Sequence, residues 1–132
     1  MQDSTETNRG LIAAFKGFCH LATFLVFVQA ALAGSFISGE DPDAVDIHEL
    51  MANVLFLVVV VQLILAFLVR GWSRFSLWAW VIALLFMLIA QTGLGYMGRD
   101  DGLPIAIHVP LGVLIFGLAT MISTLAYFES RD

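Results

Sequence analysis

The chain alternates between long apolar stretches and short polar links. Four apolar stretches span residues 17–36, 47–69, 77–97 and 105–127. Each is about 20 residues long, which at a rise of 1.5 Å per residue matches the ~30 Å hydrocarbon core of a bilayer. Because backbone groups in lipid must be hydrogen-bonded within their own segment, these stretches are predicted to be transmembrane helices. The links are about 10, 7 and 7 residues long, which favours antiparallel neighbours. The pattern predicts one all-α domain, residues 1–132, forming an integral membrane four-helix bundle with up-down-up-down topology.

Composition excludes a soluble domain and nucleic-acid binding. The chain is 60% hydrophobic and 13% charged, outside the range of soluble globular domains. Its net charge of −5 comes mostly from the acidic loop after the first stretch, and no basic stripe for nucleic acid exists. The single cysteine, Cys19, excludes an intrachain disulfide and a C-x-x-C-H attachment site. Any haem would therefore be held without covalent links.

Basic residues predict the orientation in the membrane. Five of the six Lys and Arg residues flank one side of the predicted bundle, and only Arg99 flanks the other. Cytoplasmic flanks carry the excess of such residues in membrane proteins. We therefore expect a multi-pass protein of the cell membrane with both termini and the 70–75 loop in the cytoplasm, and the acidic loop outside.

The second half of the chain repeats features of the first half. A glutamine begins a run of small residues at the outer end of the first helix, Gln29, and of the third helix, Gln91. An Ile-His pair follows each glutamine across a polar loop, with His48 and His108 lying 19 and 17 positions further on. A small residue follows each histidine by four positions: Ala52 and Gly112. The repetition predicts two pseudo-repeated helical hairpins.

The histidines are predicted to meet at one depth of the bundle. Asp41 and Pro42 suggest the N-cap and first residue of the second helix, and Pro104 lies just inside the fourth. Both helices begin on the outer face and are diagonal partners, about 13 Å apart if neighbouring axes are 8–10 Å apart. Two inward imidazoles can span that gap with one metal atom between them, which suits a haem iron.

Small side chains at the same depth favour a planar ligand. Residues of all four helices form the predicted cofactor-binding set: His48, His108, Ala52, Gly112, Gln29, Gln91, Gly34 and Gly95. Small residues also let membrane helices pack closely without any ligand. The glutamine amides could either hydrogen-bond between helices or contact the edge of a macrocycle, and the sequence does not decide between these roles.

Two other interpretations of the histidines compete with haem. A divalent metal could bind His48 with Asp46 or Glu49, although those carboxylates lie off the helical face of the histidine. Alternatively, both histidines could be hydrated interfacial groups without a cofactor. The third histidine, His20, lies towards the cytoplasmic side, roughly 20 Å from the others by helical rise, so it is expected to be structural and hydrogen-bonded within the bundle.

The run from Gln91 through a short outer loop to His108 resembles the helical hairpin of the haem A synthase family. That family has two four-helix bundles with histidines at the outer starts of the second and fourth helices, and this chain, from about residue 18 to 122, resembles one such bundle. It is also similar to a family of small, functionally uncharacterised four-helix membrane proteins. The synthase places glutamate and arginine around its histidine, whereas Val45 and Glu49 occupy those positions here. The outer-loop cysteine pair of many synthases and the second bundle are also absent, so the resemblance implies haem binding but not haem A synthesis.

The leading hypothesis is a b-type membrane cytochrome that binds one noncovalent haem b through His48 and His108 near the outer face. Two imidazole ligands suit electron transfer better than oxygen chemistry, so an electron carrier is favoured over an enzyme. A haem-handling or haem-sensing protein and a cofactor-free accessory subunit of a membrane complex are the alternatives. The bilayer, a membrane redox protein, a quinone and a second copy of the chain are the candidate partners.

Overall fold

A computed structural model describes residues 4–39, 41, 43–98 and 102–129, and its secondary structure there is entirely helical. The four helices are α1 (Ser4–Ile37), α2 (Ala44–Leu68), α3 (Leu77–Met97) and α4 (Gly102–Phe128). The bounds of α3 are those predicted, and α2 and α4 agree within three residues. Helix α1 begins at Ser4 rather than at residue 17, because the polar segment before the apolar stretch contains no proline to interrupt the helix.

All four helices are long and apolar enough to cross a membrane. The spans Asn8–Ile37, Ala44–Leu68, Leu77–Met97 and Pro104–Phe128 have mean hydropathies of 2.0–2.7. Large apolar side chains on their outer faces remain exposed, including Leu57, Phe86 and Val113 at 63–67%. A helix that is apolar on its outward face as well as its packed face is typical of a membrane span. The chain is thereby supported as a multi-pass membrane protein.

The start of α2 differs from the prediction. The N-cap is Asp43, so the prediction of Asp41 as the N-cap is wrong. Oδ1 of Asp41 accepts the backbone N–H of Asp43 at 3.2 Å, and the carbonyl of Asp41 accepts that of Ala44 at 3.2 Å. These bonds form a turn before the helix and delay its first residue. Pro104 lies inside the first turn of α4, as expected, while Pro42, Arg99 and Arg131 lie outside the described residues.

The helices are arranged at the corners of a square. Each helix packs against its neighbour in the chain, and α1 also packs against α4. Among the described residues, no Cα atom of α2 lies within 8 Å of α4, and none of α1 lies within 8 Å of α3. Helices α2 and α4, which carry His48 and His108, are therefore on one diagonal.

One half of the bundle is tightly packed and the other is hollow. The buried side chains fall within 15–26, 55–69, 77–88 and 115–126, with Ala44 as the one exception among the described residues. Phe15, Val59, Val81 and Ile122 have no exposed surface in this packed half. The remaining helical segments, 26–37, 45–56, 88–98 and 105–116, line a cavity and form the hollow half.

The loop between α2 and α3 closes the packed half. Trp72 in this loop meets Phe15 edge-on, with ring centroids 6.4 Å apart, and the Lys16 ammonium lies 4.8 Å from the Trp72 ring centroid. The Glu129 carboxylate, just past α4, accepts hydrogen bonds from Ser73 Oγ and from the Arg74 backbone N–H, both at 3.1 Å. The loop is thus attached to α1 and to the end of α4.

Candidate functional site

The hollow half contains a cavity of about 740 Å³ bounded by all four helices. Its volume lies within the about 300–1,000 Å³ that is usual for sites of small molecules and cofactors. All eight predicted cofactor-binding residues line it: His48, His108, Ala52, Gly112, Gln29, Gln91, Gly34 and Gly95. The remaining lining is mostly apolar, including Leu55, Leu88 and Ile115, which separate the cavity from the packed half.

His48 and His108 approach one another across the diagonal. Their ring centroids are 6.4 Å apart, and the ring planes are inclined by 54°. Two metal–imidazole bonds of about 2 Å, plus about 1 Å from each coordinating nitrogen to its ring centre, add to roughly 6 Å for imidazoles on opposite sides of one ion. The centroid separation therefore leaves room for one metal ion between the two imidazoles.

Hydrogen bonds determine which ring nitrogen is available for a ligand. Nδ1 of His48 lies 3.1 Å from the backbone oxygen of Gln29, and Nδ1 of His108 lies 3.0 Å from that of Gln91. A carbonyl oxygen only accepts, so both Nδ1 atoms must carry the proton and donate. Nε2 then has the free electron pair that a metal requires, and the bond at Nδ1 holds the ring orientation.

The same interaction occurs once in each half of the chain. His48 of α2 donates to the backbone of Gln29 in α1, and His108 of α4 donates to the backbone of Gln91 in α3. The glutamines were predicted as site residues through their side chains, and the role of their carbonyls was not predicted. Every residue has a backbone carbonyl, so sequence offers no signal for which one a histidine reaches.

The glutamine side chains provide further polar groups. Oε1 of Gln29 and Oε1 of Gln91 are buried, and neither has a hydrogen-bond partner among the described residues. Buried acceptors without a partner are costly and rare in folded proteins, so each is an available contact for a ligand that enters the cavity. Both glutamines line the cavity beside the histidines.

The small residues of the set differ in what they permit. A Cβ on Gly95 would lie 3.2 Å from Cε1 and 3.6 Å from Nδ1 of His108, so the glycine allows the imidazole to lie against α3. A Cβ on Gly112 would lie 3.2 Å from Nε2 of Gln91. A Cβ on Gly34 would meet no atom within 4 Å, so that glycine contributes space without supporting a neighbour.

One aromatic contact at the site was not predicted. The ring of Phe36, near the end of α1, meets the His48 ring edge-on, with centroids 5.5 Å apart and planes inclined by 77°. The His48 imidazole therefore contacts the Phe36 ring in addition to the Gln29 carbonyl. Phe36 is one of many phenylalanines in the apolar stretches, so the sequence did not distinguish it.

A protein-only divalent metal site is not favoured by the side chains. Within the part of the chain that the structure describes, no three His, Cys, Asp or Glu side chains converge to hold an ion. Asp46 is exposed, while Glu49 lines the cavity beside His48. A haem iron needs only two protein ligands because the porphyrin supplies the other four. Two histidines with apolar walls suit the latter donor set.

His20 lies outside this cavity. Its Nδ1 is 2.6 Å from Oγ of Ser123 in α4, which agrees with the expected hydrogen bond within the bundle. His48 meets α1 at Gln29, nine residues beyond His20, so the separation along α1 is about 14 Å rather than the 20 Å expected. The identity of Ser123 as the partner was not predicted.

Comparisons with protein-family models, with curated proteins and with solved structures found no match to this chain.

Proposed function

We propose that this chain is a b-type membrane cytochrome that holds one noncovalent haem b between His48 and His108 and transfers electrons. The observation that carries the proposal is the matched histidine pair, with centroids 6.4 Å apart and each Nδ1 donating to the backbone of a glutamine. Each ring thereby presents Nε2 for coordination. The 740 Å³ cavity around the pair supplies the room for a macrocycle.

Bound haem would supply one-electron redox chemistry, and the imidazoles of His48 and His108 would both hold its iron, which suits electron transfer better than oxygen chemistry. The protein contributes the rest of the site. The carbonyls of Gln29 and Gln91 orient the two imidazoles, and Gly95 makes room for the ring of His108. The apolar walls exclude water, which is one of the factors that set a haem potential.

The proposal includes the topology of the bundle. An up-down-up-down arrangement of two pseudo-repeated hairpins is supported by contacts whose residue numbers run in opposite directions along neighbouring helices. In α1 and α2, Cys19 meets Gln62 whereas Gln29 meets His48.

The proposal also includes the orientation: the distribution of basic residues favours a cell-membrane protein with both termini in the cytoplasm. A C-terminal reporter that is active only outside the cytoplasm would reverse this orientation.

The first experiment is an absorption spectrum of the purified protein with a haem assay. We expect close to one noncovalent haem b per chain, with the sharp reduced bands of a six-coordinate, low-spin iron. His48→Ala and His108→Ala each remove one axial ligand, so these variants should lose haem or bind carbon monoxide in the reduced form. A haem-replete His48→Ala variant with an unchanged low-spin spectrum would refute the ligand assignment.

The same measurements separate the other functions. Carbon monoxide binding by the unaltered reduced protein would indicate an exchangeable ligand and hence a haem-handling or haem-sensing protein. Absence of haem after purification and after reconstitution would favour a cofactor-free accessory subunit. The resemblance to one bundle of haem A synthase agrees with haem binding, and the cytochrome proposal does not extend it to haem A synthesis.

A further inference from the structure

A second concave site lies between α1 and α4, on the lipid-facing side of the bundle. The groove has a volume of about 530 Å³. Its lining combines aromatic rings with a small set of polar side chains, the His20 imidazole and the hydroxyl groups of α1 and α4. His20 is exposed here, although it lies within the membrane span Asn8–Ile37. Histidines in membrane spans are costly and usually mark a function.

The polar groups of the groove differ in their availability. The hydroxyls of Thr23 and Thr120 donate to carbonyls of their own helices, at Cys19 and Phe116. His20 and Ser123 instead bond to each other across the two helices at 2.6 Å. Among the described residues, His20 has no hydrogen bond other than this one, so its Nε2 is left without a protein partner. In a lipid-facing groove, water cannot freely supply the missing partner.

The histidine–serine pair can present either of two hydrogen-bonding states to a ligand. When the Ser123 hydroxyl donates to Nδ1, Nε2 carries the proton and can donate to a carbonyl. When Nδ1 donates to the Ser123 oxygen, Nε2 accepts and can receive the proton of a hydroxyl. A ligand that alternates between a carbonyl and a hydroxyl at the same position matches both states, and a quinone–quinol couple is such a ligand.

The remaining walls restrict the ligand further. Phe24, Phe27, Phe116 and Tyr127 line the groove, and aromatic walls favour a flat ring. The groove opens towards lipid, so its ligand enters from the bilayer and must be lipid-soluble. Phe27 and Phe116 also line the cavity that contains His48 and His108, so the two sites share walls.

We propose that the groove binds a quinol through His20 and Ser123 and that this quinol is the electron donor of the proposed cytochrome. This inference depends on the proposed function for its redox step. Oxidation of one quinol to the quinone releases two electrons and two protons. The acceptors of these electrons would be the haem irons that His48 and His108 would hold in two chains, one electron for each iron. The protons pass to Nε2 of His20 and on to water at the membrane surface near Lys16, one turn away along α1.

The binding test uses haem-free protein in lipid nanodiscs, so that it does not depend on the cytochrome proposal. The chain has three histidines, and ¹³C labelling of their rings gives three resonances that His20→Leu, His48→Ala and His108→Ala assign. Titration with decylubiquinone should shift the His20 resonance to saturation and leave the other two nearly unchanged. Decylbenzene, which has the ring and the tail but no oxygen, should cause no saturable shift.

Two variants one turn apart in α4 provide the matched comparison. Ser123→Ala removes the hydroxyl that bonds to His20, so the dissociation constant for decylubiquinone should rise about three- to tenfold. Thr120→Val keeps the side-chain shape and removes a hydroxyl already bonded to Phe116, so its dissociation constant should stay within about twofold. Equal effects of the two variants, equal shifts with decylbenzene, or an unsaturated His20 shift would overturn the groove assignment.

The redox test uses haem-loaded protein mixed anaerobically with decylubiquinol. Half an equivalent of quinol should reduce each equivalent of ferric haem, and His20→Leu should retain haem while losing this fast reduction. Saturable quinone binding by a chain that never takes up haem would refute the cytochrome alone. A haem-loaded chain that shows no saturable binding, or no reduction by the bound quinol, would refute the electron-donor site alone.

Discussion

Gly95→Ala is the most direct test of how the backbone supports His108. The added Cβ would lie 3.2 Å from Cε1 of His108, whereas carbon atoms at optimal contact are about 3.5–4.0 Å apart. The imidazole must therefore move by about 0.3–0.8 Å, or α3 and α4 must separate by that amount. Such a shift would stretch the 3.0 Å bond from Nδ1 to the Gln91 carbonyl and turn Nε2 away from its coordinating position.

The magnitude follows from the role of this hydrogen bond. Loss of a group that orients a metal-binding histidine typically reduces metal affinity by 10–100-fold. Because the ring is displaced rather than removed, we expect Gly95→Ala to weaken haem binding by about tenfold, near the lower end of that range. The matched control is Gly93→Ala on the same helix, where the added Cβ meets no atom within 4 Å.

The assay is titration of haem-free protein with haem, followed by the growth of the low-spin absorption bands. Thermal unfolding of the haem-free variants is the second measurement. Both substitutions gain about 1 kcal/mol or less of helix propensity, so their difference in haem affinity isolates the contact with His108. Equal haem affinities and identical spectra for Gly95→Ala and Gly93→Ala would refute the conclusion that Gly95 supports the ligand.

Three further substitutions test other parts of the structure. Gly112→Leu places a side chain against Gln91 and into the cavity, so haem occupancy should fall by about tenfold or more. The control is Gly117→Leu, which should retain haem because a Cβ at that position meets no atom within 4 Å. Gln62→Leu removes a buried Oε1 that has no partner among the described residues, together with a weak 3.3 Å contact from Nε2 to Sγ of Cys19. In denaturant titration the free energy of unfolding should therefore stay unchanged or rise by up to about 1 kcal/mol. A loss of about 2 kcal/mol or more would show that this amide stabilises the core. Glu129→Ala removes the acceptor of two hydrogen bonds from the 69–76 loop, so thermal unfolding should show that the free energy of unfolding falls by about 1–2 kcal/mol. The haem spectrum should stay unchanged, and an altered spectrum would contradict the separation of this loop from the haem site.

Local properties of the sequence determined the number and approximate bounds of the helices. Transfer of apolar side chains to lipid depends on the residues of a segment, and a length of about 20 residues is set by the bilayer. For this reason α3 begins and ends as predicted, α1 and α4 contain the predicted stretches, and α2 ends one residue before the end of its predicted stretch. The two exceptions, the extension of α1 to Ser4 and the N-cap at Asp43, depend on polar segments where hydropathy carries no information.

The grouping of the eight predicted residues at one level of the bundle was also predictable from sequence. His48 and His108 each lie near the start of a helix that follows a short link, and short links leave little freedom in where that helix begins. Their similar depth therefore follows from spacing along the chain. The eight predicted residues line one cavity, which agrees with that reasoning. The identity of a ligand is not encoded in spacing and stays a prediction.

Only the tertiary structure decided how the side chains use their surroundings. The 6.4 Å separation of the imidazoles depends on the packing of all four helices, and the bonds from Nδ1 reach backbone carbonyls that no residue type signals. The packed and hollow halves arise because large side chains meet in one half while small residues meet in the other. The His20–Ser123 pair joins residues 103 positions apart. Such contacts depend on the rotation and spacing of whole helices, which are set by the summed packing of many side chains rather than by any local pattern.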